Sequence, residues 1–396
     1  MLFTGAGHPK KRTGLMILQL LGGRTPAQFL SRYWQKRPLL IRNALPGFTG
    51  LVSAGELRRM AGRSAVESRL VIRKGRRWLL EHGPFAAKRF AQLPEADWTL
   101  LVQGLNLHLE TADRLLRRFS FIPYARLDDV MVSYATPGGG VGPHMDSYDV
   151  FLLQGAGRRL WRIGRRSQAL AADLVAGADL KILRQFEPDE EYLVEPGDLL
   201  YLPPGWAHDG IALEPCTTYS IGFRAPARRE LLAEFLVRYS EQLTMSGHYA
   251  DPGLRLRKHP SSVPADMSRE VHAWLSKIRF TRSDASRFLG AWLSEPKPQV
   301  VFDRPRRPLT LARFHSQCCA RGVRLDLRTL MLSGAPAGGE FHINGDTCRF
   351  AGAISRRLLQ LADRRALPPA RHSEALCRIL HDWYLHGWLH TGPHHD

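Results

Sequence analysis

VGPHMDSYDVFLLQ, residues 141–154, is the stretch on which the reading of this chain turns, together with YLPPGWAHDG at 201–210. Side chains two residues apart on a strand leave from the same face, so His144 and Asp146 can reach one ion while a later strand brings His208 to it. Three such ligands leave an open side. Two histidines and one carboxylate on one face of an octahedron is the donor set of non-haem Fe(II) oxygenases, which keep the remaining positions for cosubstrate and dioxygen. An H-x-D triplet alone is a weak signal, since most such pairs are turn or surface residues. The surroundings change its weight: DVFLLQ at 149–154 reads as an apolar strand, and EPGD at 195–198 as a turn into LLYL at 199–202, delivering His208 just past that strand.

The next strand outward, RRLWRI at 158–163, alternates between two unlike faces. Arg159, Trp161 and Ile163 share one; Arg158, Leu160 and Arg162 share the other. If the first face points into a barrel, Arg159 is a lone cation among apolar side chains and needs an anion. A guanidinium matches a carboxylate bidentately, so Arg159 is the candidate partner for the distal carboxylate of 2-oxoglutarate. The competing reading is a solvated basic strand with every arginine outward.

The runs GGGVGPHMDSYDVFLLQGAGRRLWRIG (138–164), EPGDLLYLPPGWAHDG (195–210) and YSIGFRAP (219–226) resemble the bacterial JmjC-type ribosomal oxygenases. The likeness extends upstream to FLSRYWQKRPLLIRNALPGF (29–48) and SRLVIRKGRRW (68–78), and is closest to the arginine 3-hydroxylases acting on protein sixteen of the large ribosomal subunit. The resemblance implies iron ligands at His144, Asp146 and His208, a 2-oxoglutarate contact at Arg159, and a homodimer. It covers the chain to about residue 260 and thins beyond. Two positions depart from the family pattern: Thr218 stands where an asparagine is expected before YSIGFRAP, and Ala135 where a hydroxyl residue is common, so polar contacts to the cosubstrate are expected to differ.

The chain has 396 residues and 44% hydrophobic content, enough for two or three domains with a packed core. Lys plus Arg number 56 against 37 acidic residues, a net charge of +19. That excess favours acidic surfaces such as ribosomal RNA, and is equally expected of a solvated arginine-rich surface. The five cysteines (216, 318, 319, 348 and 377) show no C-x-x-C pair, so neither a disulfide framework nor a zinc site is expected, and a reducing, cytoplasmic setting fits. HPKKR at 8–12 before LMIL at 15–18 imitates a secretory signal but lacks a cleavage pattern, and Met16 is an equally good start to Met1. No run approaches the ~20 apolar residues of a membrane span.

Residues 24–120 mix expected helices (Pro26–Trp34, Ser53–Ala61, Trp98–Arg117) with short strands at Leu39–Arg42 and Leu70–Ile72, and 129–225 is strand-rich. Short strands broken by Gly and Pro predict a mainly β domain with helices, a double-stranded β-helix of the JmjC/cupin kind spanning 1–226. Helical spacing over Arg228–Gln242 and Ser268–Leu293 predicts a helical dimerisation region at 227–294, although such helices could equally cover their own barrel. The proline-rich, charged stretch 295–308 reads as a linker. Beyond it, Asn344-Gly345 makes a hairpin turn among helices at 353–365 and 373–389, which predicts a winged-helix-like domain over 309–396, for nucleic acid or for protein docking. The late histidines 381, 386, 390, 394 and 395 read as a mobile polar tail, because no acidic or cysteine partner completes a metal shell around His386 and His390. The Gly138–Gly140 loop lacks the ending of a phosphate-binding loop.

The function expected is an Fe(II)- and 2-oxoglutarate-dependent dioxygenase that hydroxylates an arginine of a large-subunit ribosomal protein. Asp128, Asp129 and Tyr148 are the candidate clamp for the guanidinium. The alternatives are the same chemistry on a histidine or on RNA, and a non-catalytic cupin regulator.

Overall fold

The computed structural model describes residues 17–392 except 76, 167–173, 176–180, 257 and 335–338. The signal-like start up to and including Met16, and His394 and His395, lie outside the described residues.

The strands of the first unit are β1 (Leu39–Ile41), β2 (Ser68–Lys74), β3 (Arg77–His82), β4 (Trp98–Val102), β5 (Leu127–Ala135), β6 (His144–Met145), β7 (Val150–Gln154), β8 (Arg159–Arg166), β9 (Glu190–Val194), β10 (Leu199–Leu202), β11 (Trp206–Ala212) and β12 (Cys216–Phe223). They form an eight-stranded sheet ordered β1-β10-β7-β12-β5-β4-β2-β3 and a four-stranded sheet ordered β6-β11-β8-β9. The pairings are antiparallel. Alternation along the central strands sorts side chains to two cores. Phe151, Leu153, Leu199 and Tyr201 join the larger core outside the barrel, with Phe29, Phe119 and Phe223. Val150, Leu152, Leu200 and Leu202 join an inner cluster with Trp161 and Ile163.

Helices α1 (Pro26–Arg32), α2 (Ala54–Ala61), α3 (Ala87–Ala91) and α4 (Glu110–Arg117) accompany this unit. The first two begin at capping boxes, Thr25 with Gln28 and Ser53 with Glu56, whose side chains satisfy amides the helix leaves open. The outer core seats Phe29 of α1 against Tyr201, with ring centroids 5.0 Å apart, and against Phe151 at 5.4 Å. Below this aromatic layer the buried carboxylate of Asp149 accepts from Tyr201 Oη at 2.6 Å, Gln35 Nε2 at 2.9 Å and Arg126 Nη2 at 3.3 Å.

One expected helix is corrected here. Trp98–Val102 is a strand, followed by a 3-10 turn at Leu105–Leu107, and only Glu110–Arg117 is helical. The run WTLLV is buried on both faces between β2 and β5, so it carries no alternation by which sequence could tell it from a buried helix.

The second unit comprises Pro226–Glu295 and Leu330–Ala362. It opens with α5 (Arg228–Ser240), α6 (Ala265–Leu275) and α7 (Arg282–Ser294). The single helical stretch expected over Ser268–Leu293 is thus two helices, because Thr281 and Asp284 form a capping box that starts α7 afresh. Pro296–Thr329 belongs with the first unit and adds α8 (Leu311–Arg321) and β13 (Val323–Leu325). In the second unit β14 (Met331–Ser333), β15 (Glu340–Ile343) and β16 (Asp346–Arg349) form a small sheet, with Asn344 and Gly345 at φ 50° and 95° in the two-residue turn. Then come α9 (Gly352–Arg364), β17 (Ala366–Leu367), α10 (Glu374–Leu385) and β18 (Leu389–Thr391), with β17-β13-β18 forming a three-stranded sheet. The helix expected over 373–389 therefore ends at Leu385, and Leu389 leaves it to pair with Leu325.

The late histidines are not a loose tail as far as 390. His381 bonds the Leu309 carbonyl oxygen at 2.8 Å, His386 the Asp382 carbonyl oxygen at 2.9 Å, and His390 Nε2 meets Asp326 at 2.8 Å. Side-chain acceptors and carbonyls ordered by the fold, invisible in the spacing of the histidines, hold each one separately.

Candidate active site

β6 pairs with β11 so that His144 lies directly opposite His208. Cross-strand partners on one face are neighbours, and the two imidazole centroids are 4.2 Å apart. His208 lies inside β11 rather than past a strand end, and Asp146 follows β6 immediately. The carboxylate stands 4.0 Å from His144 Nε2 through Oδ1 and 3.7 Å from His208 Nε2 through Oδ2. One ligand atom from each residue lies within 4.8 Å of the others, the span of a shared ion.

The tautomers suit that purpose. Nδ1 of His144 sits 2.9 Å from the Gly142 carbonyl oxygen, and Nδ1 of His208 2.9 Å from that of Trp206. With Nδ1–H donating to the backbone, each ring keeps its lone pair on Nε2, facing the carboxylate. Burial pushes the His208 imidazole down to about 4, helped by His144 and opposed by Asp146, so it is neutral at physiological pH. β11 is held close to β8 because Gly210, opposite Trp161, has no Cβ; one placed there would come within 2.7 Å of the indole.

Along β8, Arg159, Trp161 and Ile163 are buried inside while Arg158 is exposed and paired with Glu214 at 2.9 Å. The inward reading of Arg159 is therefore the one realised. Its side chain, only 4% exposed, reaches Ser133 Oγ at 3.4 Å through Nη1, while Nε and Nη2 have no partner among the described residues. Among the described residues no carboxylate lies within ion-pair distance of it, although the buried Asp209 feels its charge from farther away. A buried guanidinium with two idle donors is strongly disfavoured unless an anion joins it. Both the donor set of the triad and this orphaned cation fit a ferrous ion chelated by a dicarboxylate.

Register places Ser133, Thr218 and Gln154 side by side on adjacent strands. Thr218 donates to Gln154 Oε1 at 2.9 Å, so the residue that departs from the family pattern has its own partner; Ala135, the other departure, is fully buried beside Cys216 and Ala212. Sequence reasoning passed over Ser133 and Gln154, because small polar residues in β strands carry no signal until pairing shows which face they share.

The three clamp candidates are placed differently from one another. Tyr148 is exposed along its ring, and burial of its hydroxyl end, Asp146 and Asp129 all push its phenol up. Asp129 is buried and accepts from Gln103 Nε2 at 2.9 Å, the Gly104 amide at 3.0 Å and Lys297 Nζ at 3.4 Å. Asp128 is half-buried, 3.2 Å from Lys297 and 3.6 Å from Arg224. Lys297, from the stretch read as a linker, escaped notice because its partners stand far back in the chain.

The JmjC domain family matches residues 114–231, the AraC-like ligand-binding domain family 187–289, and the ROXA-like winged helix family 277–390. The ribosomal protein uL16 3-hydroxylase of Escherichia coli K12 is 38% identical over 281 residues, 71% of this chain and 74% of that one. A probable ribosomal oxygenase of Haemophilus influenzae is 39% identical over 52% of each chain. The X-ray structure of E. coli YcfD superposes with a TM-score of 0.79 at 31% identity, covering 92% of this chain and 97% of that one. The same ribosomal oxygenase in complex with cobalt and 2-oxoglutarate gives 0.77 at 30% identity over the same shares.

The chain belongs to the JmjC-domain ribosomal oxygenases. It is an enzyme of the 2-oxoglutarate-dependent class, with Fe(II) as its metal and 2-oxoglutarate and dioxygen as cosubstrates, on a double-stranded β-helix fold followed by a winged helix; the silent-cupin reading falls away. Among the described residues no helix is long and apolar enough to cross a membrane.

Proposed function

We propose that this protein hydroxylates an arginine side chain of a large-subunit ribosomal protein, with Fe(II) held by His144, Asp146 and His208 and the distal carboxylate of 2-oxoglutarate held by Arg159. The observation that carries the cosubstrate half is the buried guanidinium of Arg159, whose Nε and Nη2 lack a partner among the described residues, inside the same barrel as the triad. The relative named for uL16 3-hydroxylation supports the substrate half.

When bound, iron and 2-oxoglutarate supply the oxidising power: one atom of dioxygen goes to the substrate C–H bond and the other to succinate, with release of carbon dioxide. The chain supplies position. Nδ1–H bonds to the backbone aim both Nε2 lone pairs, and Arg159 would set the depth of the dicarboxylate. Trp161 and Ile163 close the interior to water. For the substrate, the exposed ring of Tyr148 offers a face to a guanidinium and Asp128 and Asp129 offer carboxylates, with Lys297 as the cation to be displaced.

The organisation proposed with this function is an oxygenase domain at 1–226, a helical dimerisation region at 227–294, a linker at 295–308 and a winged-helix-like domain at 309–396, working as a cytoplasmic homodimer close to ribosomal RNA. Apolar side chains exposed on α5 and its neighbours, Leu232, Leu236, Val237, Leu275 and Phe280, support a second copy as the partner of this region.

Intact-mass analysis of large-subunit proteins from cells with and without the enzyme tests the substrate. A gain of one oxygen on an arginine of one such protein is expected, and replacing that arginine by lysine should remove most turnover, since a point charge lacks the planar five-donor fork. Modification of a histidine, or of RNA, in place of any arginine would overturn the substrate and leave the oxygenase standing.

A further inference from the structure

A second cluster of metal-type side chains lies far from the barrel triad in sequence and on other elements. One ring nitrogen of His315 and the Sγ atoms of Cys319 and Cys377 fall within 4.8 Å of one another, the same closeness that marks His144, Asp146 and His208. His315 and Cys319 are four apart on α8 and so share one face of that helix. Cys377 comes from α10, which packs against it. The cysteine spacing gave no hint of this closeness, because the cluster is a helical i, i+4 pair and a residue almost sixty positions later.

We propose that His315, Cys319 and Cys377 form a binding site for a thiophilic divalent cation, Zn(II) in the first place, which ties α8 to α10. Soft thiolates with one imidazole select Zn(II) over the hard cations that carboxylates prefer. Charge balances: binding displaces one proton from each thiol, and two thiolates with a neutral imidazole cancel the dication, so the half-buried site gains no net charge. The His315 ring is oriented by the His372 carbonyl oxygen, 3.2 Å from Nε2, and the His372 amide in turn donates to Cys319 Sγ at 3.5 Å. Backbone support of this kind around both a histidine and a thiolate is what metal ligands receive. Cys377 is buried while His315 and Cys319 are half-exposed, so an ion has an entry side, where water completes the shell. Packing alone explains the buried Cys377 and its neighbour Cys318, since cysteine is a common small core residue. It does not explain why a half-exposed histidine and a half-exposed cysteine converge on the same thiol.

The test is Co(II) and Zn(II) binding by the full chain carrying His144→Ala and His208→Ala, which removes the barrel triad as a competing site. One equivalent of Co(II) should produce thiolate-to-cobalt charge-transfer absorption in the near ultraviolet, and one equivalent of Zn(II) should displace it. Adding Cys319→Ser or His315→Ala, at half-exposed positions where folding is little at stake, should abolish the charge-transfer band or weaken Co(II) binding by at least tenfold, with circular dichroism unchanged. Absence of the band in the parent chain, or its persistence at full strength in both variants, would overturn the proposal. Hydroxylase activity is not a readout here, so the oxygenase assignment and this one fail separately.

Discussion

His144 and Asp146 line an opening rather than a packed core, each about a fifth exposed at the side chain, so replacing either by alanine removes a ligand without leaving a large cavity. Succinate release should disappear in His144→Ala and Asp146→Ala while the thermal midpoint of the metal-free protein stays within about 1 °C of the parent, a shift of under ~1 kcal/mol for a chain of this size. Retained 2-oxoglutarate decarboxylation in either variant would remove these residues from the iron shell. Arg159 and Arg158 make a sharper pair, adjacent in sequence and opposite in facing. Loss of a charge-assisted bond of roughly 1.5 to 3 kcal/mol means that Arg159→Ala should raise the 2-oxoglutarate requirement by about ten- to a hundredfold. Arg158→Ala gives up only a surface pair with Glu214 and should leave that requirement unchanged. Equal effects in titrations of cosubstrate against initial rate would show that neither guanidinium meets the dicarboxylate.

At the scale of elements, the three-stranded sheet β17-β13-β18 is secured by one carboxylate. Asp326 is almost fully buried just past β13; it accepts from His390 of β18 at 2.8 Å, from Arg328 Nε at 2.7 Å and Nη2 at 3.0 Å, and from the Arg328 amide at 2.9 Å. Burial alone would raise its pKa, but the bonds from His390 and Arg328 outweigh burial and hold it well below the usual carboxylate range. A depressed carboxylate contributes stability that is complete above its unfolded pKa of about 3.9 and is lost as pH falls toward the folded value. Asp326→Asn should therefore cost roughly 3 kcal/mol in urea denaturation near neutral pH, the usual cost of breaking a buried pair. The gap between variant and parent should narrow below pH ~4. A gap independent of pH would mean that Asp326 acts through shape and neutral hydrogen bonds. The same element scale explains the β4 error: a strand covered on both faces, like WTLLV, offers a run of apolar residues and no period, so its neighbours in the sheet decide its conformation.

For the whole molecule, the prediction concerns assembly. Leu232 and Leu236 lie one turn apart on α5, both more than half exposed, while Phe235 between them packs on Phe280 and Phe288. Both leucines are solvent-exposed in the protomer, so replacing them by aspartate should convert the proposed homodimer to monomers in sedimentation velocity, with near-ultraviolet circular dichroism retained. A sedimentation coefficient unaffected by the double substitution would exclude this face of α5 from the interface. At this scale too, a net charge of +19 would make the proposed proximity to ribosomal RNA dependent on salt, whichever face carries it.

What the sequence determined by itself was the chemistry: two histidines and an aspartate in motif spacing, an alternating strand with one arginine on its more apolar face, strand-rich composition between 129 and 225, and the Asn-Gly hairpin. These are local, short-period signals, set by the two-residue repeat of a strand and the φ requirement of a turn, and they survive without knowledge of partners. Tertiary structure alone decided the rest. It chose the register that sets His144 opposite His208, left Arg159 with idle donors, brought Lys297 to Asp128 and Asp129, broke a predicted helix at Thr281, and gathered His315, Cys319 and Cys377 from two helices. Each of these depends on which distant segments the buried faces bring together, and hydrophobic burial, being non-directional, leaves no mark of that choice on either segment alone.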